Sequence, residues 1–182
     1  MQRMKLVLGV AVLMAIAASL HADPAPDAIT VNGNVGKPGD WTVARLKSEL
    51  SADIASITYT GKDQKHTSNA VPLVALLKAS GVSTQLKADP TADPKTKHHE
   101  LRLVVVVQGS DGYTAVFSVA ELLGELGNRP VWLAIDADGQ PLPATEGPMK
   151  LIVPDDQKPA RWVHAVRTIT VVDVTPTTQP AK

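Results

Sequence analysis

The sequence predicts an α+β fold in a single domain. Strand-type runs dominate the chain and are interrupted by three short helical stretches, each with a recognisable cap or stop. There is no internal repeat. With an N-terminal leader set aside, 160 of the 182 residues remain, one domain's worth, expected to bury about 70% of the unfolded chain's surface without disulfides.

The leader is residues 1–22. Arg3 and Lys5 precede an apolar, small-residue run from Leu6 to Leu20, and Ser19-Leu20-His21-Ala22 offers cleavage after Ser19 or after Ala22, the pattern of a secretory signal peptide. The run falls short of the about 20 residues a spanning helix needs. Residues 23–28, beginning Asp23-Pro24-Ala25-Pro26-Asp27, read as a linker. The expectation is a periplasmic or secreted protein with no membrane span after signal cleavage.

Ile29 to Val35 alternates with period 2, as a strand does, and breaks at Gly36-Lys37-Pro38-Gly39-Asp40. Thr42 to Leu50 follows as a helix, with Val43, Leu46 and Leu50 on one face and Asp40 or Thr42 as its cap. Asp53 to Thr60 returns as a strand. A second helix spans Val71 to Ala79, with Pro72 in its first turn and Gly81 as its left-handed stop. Leu86 to Glu100, which contains His98-His99, has no apolar period and reads as a long loop.

Leu101 to Gln108 is a nearly continuous β-branched run, the mark of a strand covered on both faces. Ser118-Val119-Ala120-Glu121 has capping-box spacing and starts a helix that should end near Gly127. Val131–Ile135 and Met149–Val153 bracket a turn at Asp138-Gly139 as two strands, and Arg167 to Val174 is a closing strand. Residues 175–182 have the Pro, Thr and Gln content of a disordered tail.

Charge narrows the partners. Without Arg3 and Lys5 the chain carries 16 basic against 18 acidic residues, a formal charge of −2, so no nucleic acid is expected. The composition also contains no cysteine. Spacing gives no metal site either: His98 and His99 are adjacent and diverge in an extended loop, and His66 reads as a solvated loop residue. Aligning Gly139 with the glycine of a calcium loop puts Ala134 and Thr145 where ligands belong. Asp155-Asp156 reads as a turn after Pro154, and Glu146 either aims into a cleft or caps a strand.

Several segments carry a family likeness in their order and spacing. They are Gly109-Ser110-Asp111-Gly112-Tyr113-Thr114, Val131-Trp132-Leu133-Ala134, and Asp138-Gly139-Gln140-Pro141-Leu142-Pro143. Gly147-Pro148-Met149-Lys150-Leu151-Ile152-Val153-Pro154 and Ala160-Arg161-Trp162-Val163 follow, and Ala70 to Leu77 with Gly81 lies upstream. Together they resemble the sulfite-oxidase-type molybdopterin-binding domain, a family that includes the catalytic subunit of a periplasmic methionine sulfoxide reductase. The resemblance implies a sulfite-oxidase-like fold of mixed β-sheets with a few short helices, spanning residues 29–174.

The resemblance also implies molybdopterin as cofactor, with the metal held by a cysteine. That position falls near Thr60, and a threonine hydroxyl is a hard donor that is difficult to deprotonate, unlike a thiolate. The family's phosphate-anchoring Ala-Arg-Ser-Val-Lys-Trp becomes Ala160-Arg161-Trp162-Val163-His164-Ala165, which keeps Arg161 and puts His164 in place of the lysine. Thr60, Tyr113, Arg161 and His164 are therefore the candidate cofactor-binding residues, with no metal ligand and no catalytic residue assigned. Exported enzymes of the family typically cross the membrane folded behind a twin-arginine signal, whereas Arg3 stands alone. The expectation is that no cofactor is bound and that the domain takes a small-molecule ligand or a protein partner. The alternatives are a molybdopterin-dependent oxidoreductase with a non-cysteine ligand and a metal-handling loop at His98-His99.

Overall fold

Two β-sheets share one hydrophobic core in the computed structural model, which describes residues 27–61, 64–86, 91, 93 and 97–175. Residues 1–22, expected from the sequence to be a signal peptide, residues 23–26 of the expected linker and residues 176–182 of the expected tail lie outside the described residues. Among those described, no helix is long and apolar enough to cross a membrane.

The first sheet has five strands: β1 (Ala28–Gly33), β2 (Gly39–Thr42), β5 (Leu103–Gly109), β6 (Thr114–Ser118) and β9 (Val166–Asp173), in the order β2-β1-β9-β5-β6. β1 runs parallel to β9 and every other pair is antiparallel, so the sheet is mixed, as the sequence leads one to expect. The second sheet orders β3 (Ala55–Gly61), β4 (Gln64–Pro72), β7 (Trp132–Ala134) and β8 (Lys150–Ile152) as β3-β4-β7-β8, all antiparallel.

The caps behave as their chemistry requires. Thr42 accepts from the Arg45 amide at the start of α1 (Val43–Glu49). α2 (Leu73–Ala79) ends in a Schellman turn, with the Val82 amide donating to Leu77 and the Gly81 amide to Lys78, and Gly81 at φ 82°. Ser118 and Glu121 form the complete capping box of α3 (Val119–Leu122).

The structure departs from the sequence reading in several places. Val71 and Pro72 belong to β4 rather than to the second helix, because both pair with β7. α3 makes one turn instead of reaching Gly127: Leu123 is extended, the Arg129 amide takes the Glu121 carbonyl, and Gly124 and Gly127 favour no helix. β5 is fully buried on one face only: Leu103, Val105 and Val107 are buried while Val104 and Val106 are partly covered. β4 carries His66, which the sequence places in a loop. It escapes detection because Gln64 to Asn69 has no apolar period, and its register is held by the Asp136 carboxylate on the Asn69 amide and side chain.

Gly33 closes β1 at φ 85°, where a Cβ would stand 2.1 Å from the Val171 carbonyl oxygen. Gly33→Ala is expected to destabilise by at least about 2 kcal/mol, combining backbone strain with a steric clash. Ser118→Ala should cost about 1 kcal/mol through its lost cap. Urea unfolding midpoints measure both, and equal costs would contradict the account.

Candidate functional site

Alternation along β3 settles which side chains face inward. Ile57 and Tyr59 point to the core side and are buried, whereas Thr58 and Thr60 point outward. The next inward position is Gly61, and a Cβ there would meet Trp162, His66 and Tyr59 at 3.6–3.9 Å. These three rings form one wall of a cleft of about 570 Å³. Tyr59 meets Trp162 edge-on, with centroids 5.3 Å apart and planes at 83°, and lies 5.6 Å from the imidazole of His66. Trp162 is fixed by its indole N–H, which donates to the Val153 carbonyl at 3.1 Å. Pro141, Pro143 and Pro159 also line the cleft.

Charge enters the cleft through Lys150 at the start of β8. Its side chain is 7% exposed, its ammonium donates to Glu146 Oε2 at 3.0 Å, and it stands 5.6 and 5.5 Å from the ring centres of Tyr59 and Trp162. Glu146 also faces His164, whose Nδ1 lies 3.4 Å from Oε1. At the other side His66 Nδ1 lies 2.8 Å from Asp138 Oδ2. A carboxylate only accepts, so Nδ1 of His66 carries the proton. The other oxygen of Asp138 accepts from the Thr67 amide at 2.8 Å. That backbone bond, with His66, holds the Asp138 carboxyl below the usual range. Burial pushes the Tyr59 phenol up, and the negative charges of Glu146, Asp138 and Asp136 push it further, so Tyr59 stays a hydroxyl donor.

The sequence candidates do not converge here. His164 lines the cleft. Thr60, on the outer face of β3, does not. Tyr113 is about half-exposed and its hydroxyl donates to the Ala160 carbonyl. Arg161 is gripped elsewhere: Nε and Nη2 donate to the two oxygens of Asp156 at 2.8 and 2.7 Å, and Nη1 to Glu121 at 3.4 Å. Its guanidinium also lies 4.9 Å from the ring centre of Phe117. The Asp155-Asp156 turn thus supplies a structural partner. Sequence reasoning missed Tyr59, His66 and Lys150; the alternation of Tyr59 with Thr60 was the available signal. Glu146 does aim into the cleft, one of the two roles the sequence allows it.

The family model for the oxidoreductase molybdopterin binding domain matches residues 17–179. Among solved structures, the chain is similar to the sulfane dehydrogenase SoxCD from Paracoccus pantotrophus, with a TM-score of 0.57 and 19% identity. The match covers 82% of this chain and 39% of that one, and at this identity it carries the fold alone. No curated protein matches the sequence.

The family resemblance implies a cysteine thiolate for the metal and cations for the phosphate. No cysteine exists in the chain, and the described residues contain no cluster of three or more His, Asp or Glu able to hold a metal. Arg161 is committed to Asp156 and Glu121, and Lys150 to Glu146. This donor set does not fit a sulfur-held metal.

Hydrogen bonding to Arg161 keeps the Asp156 carboxyl below its ordinary value. The folded pKa is depressed, so the pair's stabilisation is fully present above the unfolded carboxylate's value of about 3.9 and is lost as pH falls through the folded value. Stability measured by urea between pH 5 and pH 2.5 should therefore fall less steeply for Asp156→Asn than for the parent chain. Identical slopes would mean that the pair contributes nothing.

Proposed function

Because the chain belongs to the oxidoreductase molybdopterin binding domain family, we propose that it is an exported member that uses the family scaffold as a small-ligand binding module without a sulfur-held metal. The observation that carries this reading is the orientation of β3. The position nearest the family's metal-ligand cysteine, Thr60, turns away from the cleft, while Tyr59 and Gly61 turn into it. What faces the cleft is a wall of rings and prolines interspersed with polar and charged side chains, a concave surface of the kind that takes a small organic molecule.

The second reading is a molybdopterin-dependent oxidoreductase of sulfite-oxidase or methionine sulfoxide reductase type with a non-cysteine ligand. Family membership supports it. Against it stand the hard donors at Thr58 and Thr60 and the engagement of Arg161 by two carboxylates.

Export to the periplasm or outside the cell rests on the basic and apolar segments of residues 1–22. N-terminal sequencing of the exported protein should begin at Leu20 or at Asp23; an intact Met1 would remove this part of the proposal. Elemental analysis and pterin fluorescence of protein purified from its own compartment should find molybdenum and pterin far below one per chain. Near-stoichiometric amounts of both would establish the second reading instead.

A further inference from the structure

The β-branched run from Leu101 to Gln108 predicts a strand covered on both faces, yet the fold fully buries only one face of β5. The helices give the other face no cover: Leu46 of α1, Leu73 of α2 and Val119 of α3 all enter the shared core. By alternation the outer face of the five-stranded sheet shows Val104 and Val106 of β5, Val116 of β6, and Thr168, Thr170 and Val172 of β9. Strand pairing joins them in rows, Val116–Val106–Thr170 and Val104–Val172. Val116 and Val172 are 51% and 39% exposed, and Val174, just beyond β9, is 54% exposed.

A sheet face turned to water ordinarily carries polar and charged side chains. Here the outward positions of β1, β5, β6 and β9 hold no ionisable group. Arg167 stands outside this alternation, at the register shift where β9 begins, and Asp40 of the border strand β2 accepts a hydrogen bond from Thr30 at 2.6 Å. Such a face holds no charge that a copy of itself would duplicate, whereas a nucleic acid or an anionic membrane finds no cation on it. Area sets the strength of a self-contact. Five strands at a spacing of about 4.8 Å and about 3.4 Å per residue give an outline of roughly 500 Å², against about 800 Å² of accessible surface per partner in a standard stable interface. A dimer through this face is therefore weak and reversible.

We infer that the outer face of the five-stranded sheet is a self-association surface, on which two copies of the chain pack sheet on sheet, about 10 Å apart, around a two-fold axis near Thr170. Thr170 is the middle outward residue of β9, the central strand of the order β2-β1-β9-β5-β6, so a centred axis passes close to it. The valines of each copy then gain the second cover that the sequence pattern predicts. No residue of this face lines the cleft, so the inference is independent of the ligand reading.

Sedimentation velocity of the chain from micromolar to millimolar concentration tests it, and the sedimentation coefficient should rise from that of a monomer toward that of a dimer. Thr170→Lys and Thr170→Glu each set like charges across the axis and should raise the dissociation constant at least about tenfold. An equimolar mixture of the two sets opposite charges there and should return it to within about threefold of the parent. Val116→Lys, at the more exposed edge strand, should also weaken association, and Ser56→Lys, outward on β3 of the other sheet, should leave it unchanged. Urea midpoints establish that each variant is folded. A chain that stays monomeric to millimolar concentration overturns the inference. So does association that survives the Thr170 variants and Val116→Lys, which places the contact on another surface, and so does a mixture that stays monomeric, because the face then does not meet its own copy.

Discussion

The second sheet and the loops above it are organised around one buried ammonium. Lys150 leaves the first residue of β8 for an almost dry position, and an unpaired charge there would cost several kcal/mol. Three elements answer that cost. The loop before β8 supplies Glu146, β3 supplies the face of Tyr59, and the segment after the 3₁₀ turn at Pro159–Arg161 supplies Trp162. Because each contact has a geometric requirement, the lysine fixes the separation of these elements and therefore the width of the cleft. The edge-on packing of Tyr59 with Trp162 and the indole bond to Val153 complete the frame.

Much of the fold could be read from local chemistry. The Thr42 cap, the Ser118–Glu121 box and the Gly81 stop are written in single residues whose side chains or φ preference leave few alternatives, and each is present. β1, β5 and β9 are legible because apolar residues recur in strands that cover a core. β4 is not legible, since Gln64 to Asn69 is polar and its place is decided by pairing with β3 and by Asp136. The site was harder still. Arg161 and Asp156 are close in sequence, yet the sequence gives no sign that they satisfy one another. His66 and Asp138 lie 72 residues apart, and the β4–β7 pairing, continued by the Asp138 amide on the Thr67 carbonyl, brings them together.

These two carboxylate partnerships bear on how a family scaffold changes its use. Arg161 sits in the segment that resembles the phosphate-anchoring end, but here its fork ties the 3₁₀ turn to the Asp156 turn and to Glu121 of α3, and Arg129 joins the same two carboxylates at 3.5 and 3.8 Å. Arg161 thereby acts as an internal brace. The cleft keeps its volume and its aromatic wall, while its remaining polarity lies in a phenol, a lysine and two histidines oriented by carboxylates. On the proposed reading such a set would position an organic ligand by shape and hydrogen bonds, and it offers no thiolate for a metal.

Native mass spectrometry of the protein isolated from its own compartment tests this account most directly, because it weighs whatever the cleft holds. The account predicts either the bare polypeptide or a small metal-free organic adduct that is lost from the Gly61→Leu variant. An adduct with the broad isotope envelope of molybdenum, retained by that variant, would contradict it.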